Sequence, residues 1–187
     1  MTSNVKIKRV SRILRYLTIF YLCSLPISTA IFWICDGQPI HPMLSIRLWP
    51  EGFLADAPLT PIPMMAASTK ITAFLVSLIP NIFSVLALYF LAKLFCLFEG
   101  MEFFSQQSVR ALRRIGVSLL AGQLAFPIYT ALLSLTLTIS NPPGHRIIAV
   151  SFGAAEFNWT ALSLVIILVS WIMDEGRKLQ EEQAATV

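Results

Sequence analysis

Residues 71–98 read ITAFLVSLIPNIFSVLALYFLAKLFCLF, 28 positions in which Lys93 is the one Lys, Arg, Asp or Glu. As a helix this stretch would measure about 42 Å at 1.5 Å per residue, longer than the roughly 30 Å of hydrocarbon in a bilayer. Three more apolar runs flank it, residues 16–35, 115–139 and 157–173, the last reaching across if its ends sit among headgroups. The composition agrees: 187 residues are 56% hydrophobic and 13% charged, with mean hydropathy +0.73. Ten acids and fourteen bases could not cover a soluble sphere of this size while hiding four such runs. The expected fold is an all-α membrane protein, one domain over residues 1–187 with four transmembrane helices and no room for a separate catalytic domain.

Lys6, Lys8, Arg9, Arg12, Arg15, Lys93, Arg110, Arg113, Arg114, Arg177 and Lys178 fall on one side of this arrangement, and Arg47, Lys70 and Arg146 on the other. Eleven against three places both termini and the inner loop 99–114 in the cytoplasm, N-in and C-in, with outer loops 36–70 and 140–156 and a cytoplasmic tail 174–187. The net charge of +4 is then a topology signal with some attraction for anionic lipid, and not a sign of direct nucleic-acid binding. A cleavable signal peptide ending near Ala30 is the alternative for the first run. Ile31, Phe32, Trp33 and Ile34 continue the apolar run past that point, which favours a retained span.

The loop 36–70 holds Pro39, Pro42, Pro50, Pro58, Pro61 and Pro63, which oppose a long helix. Trp49, Phe53 and Leu54 within it, with Trp33 and Trp159 at span ends, suggest an outer aromatic belt. Asn141, Pro142, Pro143 and Gly144 end the third span. Each half opens on a basic entry, crosses, turns through prolines, returns and stops at Glu-Gly (99–100 and 175–176). This is the pattern of two helical hairpins in parallel repeat, and also of any two hairpins with positive-inside flanks.

Nothing in the chain supports catalysis. It lacks a P-loop, GxSxG and HExxH, and Cys23, Cys35 and Cys96 form no CxxC pair, so no catalytic, metal or cofactor-binding residue is assigned and no cofactor is expected. His41 and His145 lack paired ligand spacing, so a metal shared with Asp36 or Glu156 is disfavoured. Asn81, beside Pro80, and Gln123 could meet between helices, as packing glue or as part of a transport path. Ser118 with Gly122, and Ala121 with Ala125, give the third span small-xxx-small spacing for a close helix contact.

The inner loop, EGMEFFSQQSVRALRRIG over 99–116, offers Ser105 as an N-cap, then Val109, Leu112 and Ile115 at helical spacing beside Arg110, Arg113 and Arg114. The tail pairs Asp174 with Lys178, Arg177 with Glu181 and Lys178 with Glu182 at i,i+4, which extends the fourth helix into water. Arg110, Arg113, Arg114, Glu175, Glu181 and Glu182 are the candidate partner-binding residues, and headgroup binding with a solvated tail is the plainer reading.

The Leu-Arg-Arg-Ile-Gly run at 112–116 after Phe104 and Val109, with Glu175, Gly176, Leu179, Glu181, Glu182, Gln183, Thr186 and Val187 some sixty residues on, resembles the bacterial membrane family called domain of unknown function 2975. The Pro-rich outer loop and Ala184 and Ala185 depart from its pattern. The resemblance implies a four-span protein of the bacterial inner membrane, often encoded beside a small Cro-like helix-turn-helix regulator, with no catalytic residues to carry over. Two functions follow as expectations: a non-enzymatic protein that regulates or sequesters such a DNA-binding regulator, or a small transporter, channel-like or immunity component. The lipid bilayer is the one certain partner, and a homo-oligomer stays open.

Overall fold

The structure, a computed structural model, describes residues 2–35, 65–142 and 144–185. Four helices make up nearly all of it: α1 Thr2–Ile34, α2 Ala67–Glu99, α3 Gln106–Thr138 and α4 Ala154–Ala185. All four are long and apolar enough to cross a membrane, and no strand occurs among the described residues. This is a multi-pass, all-α membrane protein. The helices pack in chain order, α1 on α2, α2 on α3 and α3 on α4, so α1 and α4 form the two ends of a row.

Each helix outruns its apolar stretch, because residues with good helix propensity carry it on. Lys6, Lys8, Arg9 and Arg12 do so at the start of α1, and the ion pairs Arg177–Asp174, Arg177–Glu181 and Lys178–Glu175 do so at the end of α4. α4 begins at Ala154, where the Gly153 amide donates to Glu156 Oε2 at 2.7 Å, half of a capping box. Glu156, read above as an outer-loop acid, is thus a buried cap.

The packing inverts that of a soluble bundle. Large aliphatic and aromatic side chains such as Phe20, Leu124, Ile128 and Ile172 point outward, while Thr29, Ser77, Ser108, Ser163 and Ser170 are fully buried. Those hydroxyls are satisfied locally, Thr29 by Leu25 O, Ser77 by Ala73 O and Ser163 by Thr160 O, so they cost little while letting backbones approach. Gly116 shows the closest approach: a Cβ there would lie 2.6 Å from Ile167 Cγ1 and 3.1 Å from Ser163 O of α4.

Trp33 corrects one expectation. Placed above in an interfacial belt, it is 4% exposed and packs with Ala73, Tyr129, Leu133 and Leu137, its indole N–H donating to Ser77 Oγ at 3.2 Å. A buried indole needs an acceptor, and Ser77 provides it. Trp159 is half exposed near the start of α4; Trp49, Phe53, Leu54 and His41 lie outside the described residues.

The loop between α3 and α4 is not a free turn. The amides of Ile147, Ala149 and Ser151 donate to Thr138 Oγ1 (3.1 Å), Ser134 Oγ (2.9 Å) and Thr130 Oγ1 (3.2 Å), all on α3. Four residues along a helix rise about 6.0 Å and two residues of extended chain about 6.6 Å, so a hydroxyl every fourth position meets every second amide. The segment therefore lies extended against α3 with its backbone donors satisfied, as an apolar environment demands.

The helices are also staggered. Arg12 bonds Glu99, the last residue of α2, so α1 continues about 15 Å beyond that level toward Thr2. The Gly116 contact with Ser163 and Ile167 puts Gln106, the first residue of α3, level with about Glu175, so α4 likewise projects about 15 Å toward Ala185. Two helical arms thus stand at one end of the molecule, on either side of the short turn at 100–105.

Candidate functional site at the basic end

The turn between the arms is held tightly. The Met101 and Glu102 amides return to the carbonyls of Phe98 and Leu97, a Schellman closure in which Met101, and not Gly100, takes the left-handed conformation (φ 66°). Ser105 then caps α3, accepting from the Ser108 amide at 3.2 Å, while Ser108 Oγ donates back to Glu102 O. Phe98 and Phe103 close the turn with ring centroids 5.3 Å apart.

Glu99 ties α1 to α2. Its two oxygens take Arg12 Nε at 2.9 Å and Arg15 Nη1 at 2.6 Å, and Arg15 also reaches Cys96 Sγ at 3.5 Å. Sequence reading saw Glu99 only as half of a repeated Glu-Gly pair; its value as a clamp needed the register of α1 against α2.

Arg110, Arg113 and Arg114 lie exposed on one face of α3. Arg113 sits over the Trp171 ring of α4 (5.9 Å to the centroid) and Arg114 over the Phe90 ring of α2 (5.2 Å). Two acids of the α4 arm, Glu175 and Glu181, pair within their own helix and do not cross to them. Glu175 pairs with Lys178 at 3.2 Å and Glu181 with Arg177 at 2.6 Å, both within α4, and Glu182 is exposed on the same arm. The α1 arm carries Lys6, Lys8 and Arg9 and no acid, whereas the α4 arm from Glu175 carries three acids against Arg177 and Lys178.

The interhelical candidates separate. Asn81 Nδ2 donates to Thr29 Oγ1 of α1 at 2.7 Å, while Asn81 Oδ1 is buried without a hydrogen-bond partner. Gln123, half buried on α3, takes no part in that contact. Gly122 packs on Phe83 of α2, where an added Cβ would lie 3.1 Å from Phe83 Cβ, and Ser118 is buried nearby on α3. Among the described residues no group of three or more His, Cys, Asp or Glu side chains could hold a metal.

Asn81→Leu is expected to leave thermal stability unchanged or slightly raised. The variant loses one interhelical hydrogen bond worth about 0.6 kcal/mol. It also removes a buried acceptor whose lack of a partner costs about 1–3 kcal/mol. Melting of the detergent-purified variant checks this, and a fall of several degrees would show that Asn81 contributes more than the one bond.

A family model described as Protein of unknown function (DUF2975) matches residues 6–187. The chain belongs to that family. No curated protein and no solved structure matches it. The DUF2975 match takes in the α1 arm from Lys6, the α4 arm, the 100–105 turn and the arginine face.

Proposed function

We propose that this DUF2975 protein is a non-enzymatic protein of the bacterial inner membrane, with both termini in the cytoplasm, whose basic end docks and sequesters a small helix-turn-helix regulator. The observation that carries the reading is the pair of arms. Two helices extended about 15 Å past their neighbours hold their side faces clear of the turn between them, where a third body can reach both. The arms differ in charge, one purely basic and one with an acidic excess, and so offer two complementary surfaces to one partner. A DNA-binding domain is basic on its reading face, and Glu175, Glu181 and Glu182 compete there with phosphate. The partner's identity is taken from the gene neighbourhood that the family resemblance implies.

Charge reversal at Glu181 and Glu182 tests it. Glu181→Lys with Glu182→Lys strips an exposed pair worth about 0–1 kcal/mol, so α4 and membrane insertion survive. The co-expressed regulator is expected to move from the membrane to the soluble fraction. Unchanged partitioning, or no capture of the regulator by the wild type, contradicts the proposal.

A second reading, a small transporter, channel-like or immunity component, draws support from the unpartnered Asn81 Oδ1. It places the sensitive positions at Asn81, Gln123 and the outer loop and leaves the arms dispensable.

A further inference from the structure

We infer that the arginine face of α3 is a binding site for the phosphate of an anionic glycerophospholipid in the leaflet at the basic end. The contrast among the arginines carries this. Arg12, Arg15 and Arg177 each hold a carboxylate. Arg110, Arg113 and Arg114, although the α4 arm beside them is rich in acid, hold none among the described residues. What fixes two of the three is aromatic: Trp171 from α4 lies under Arg113 and Phe90 from α2 under Arg114. A ring beneath the guanidinium carbon holds the cation without consuming its N–H donors as a carboxylate would, and those donors are the groups that match the oxygens of a phosphate.

The same helix face decides between a lipid and a soluble anion. Directly above the arginines it continues through Val117, Leu124 and Ile128, all more than half exposed and at helical spacing from Arg110 and Arg114. A cationic patch at one end of a lipid-facing aliphatic stripe fits a molecule with an anionic head and a hydrocarbon chain. Inorganic phosphate or a nucleic-acid backbone would use the head contacts and leave the stripe unmatched. This site lies at the foot of the arms, so it does not depend on the docking proposed above.

Native mass spectrometry of the full-length protein, released from detergent with phosphatidylglycerol or phosphatidylcholine, tests the site. The wild type is expected to retain phosphatidylglycerol in preference to phosphatidylcholine, and Arg110→Gln/Arg113→Gln/Arg114→Gln to lower that preference by about tenfold or more. Lys6→Gln/Lys8→Gln/Arg9→Gln removes the same charge from the α1 arm and is expected to keep it. Circular dichroism verifies that both variants remain helical; if the α3 triple variant does not, the single Arg113→Gln and Arg114→Gln variants, each with its ring left in place, are compared instead. Equal retention of the two lipids by the wild type, equal loss in the two triple variants, or displacement of the lipid by millimolar inorganic phosphate would overturn the inference.

Discussion

Gly116→Leu is expected to abolish recovery of detergent-stable protein, and Gly116→Ala to lower its melting temperature clearly. At this position α3 and α4 touch almost backbone to backbone: even a methyl group would sit 2.6 Å from Ile167 Cγ1 and 3.1 Å from Ser163 O. Ile167 Cγ1 is close to its own backbone and cannot swing aside as the tip of a long side chain would, so relief requires the helices to separate. Overpacking of this kind costs about 1–3 kcal/mol for an alanine-sized intrusion. Leucine adds three more carbons on the same line, and because α4 packs mainly on α3 it has no second helix to hold it in place. Gly122→Leu and Ser118→Leu are expected to destabilise in the same direction, with Gly122 the milder site because its neighbour is the Phe83 side chain and not a carbonyl. Size-exclusion profiles and melting curves in one detergent check the series; wild-type behaviour of Gly116→Leu would mean that α3 and α4 do not meet there.

Removing the hydroxyl ladder is expected to release the 145–153 segment from α3. In Thr130→Val/Ser134→Ala/Thr138→Val the amides of Ser151, Ala149 and Ile147 lose their acceptors at positions where α3 remains buried. Each stranded donor costs about 1–3 kcal/mol, more than enough in total for the segment to leave the helix and hydrate. The Thr138 and Ser134 hydroxyls direct their single protons to Ser134 O (2.8 Å) and Ala131 O (2.9 Å) within α3, so the loss falls on the loop's amides. Hydrogen exchange at 147–151 should then rise to the rate of an open loop while the helices stay protected. Unchanged protection would show that packing of Ala149 against the Trp33 and Tyr129 cluster holds the segment without the hydroxyls.

The four helices were legible because the signal for a span is a sum over twenty residues, and no local detail alters it. The Ser105 cap and the continuation of α4 past its apolar run were legible because they depend on neighbours three or four positions away. What depends on register between helices was not. Asn81 meets Thr29, a residue with no distinguishing pattern in α1, and stays apart from Gln123. Gly116 was visible only as part of a family signature, since one glycine does not say which helix comes close. The packing of the loop 140–156 was only half legible: Thr130, Ser134 and Thr138 recur at i+4 on one face of α3, but Ile147 to Ser151 reads Ile-Ile-Ala-Val-Ser, with no polar alternation to mark an extended chain lying beside them.

Everything proposed for the arms requires that they stand in the cytoplasm. The direct measurement is accessibility in intact cells of single cysteines placed at Ser105 and at His145 in a version lacking Cys23, Cys35 and Cys96, using a membrane-impermeant maleimide. Cysteine at 145 is expected to label in intact cells and cysteine at 105 only after the membrane is permeabilised. Labelling at 105 in intact cells would turn the molecule over, set both arms outside and contradict the docking of a cytoplasmic regulator.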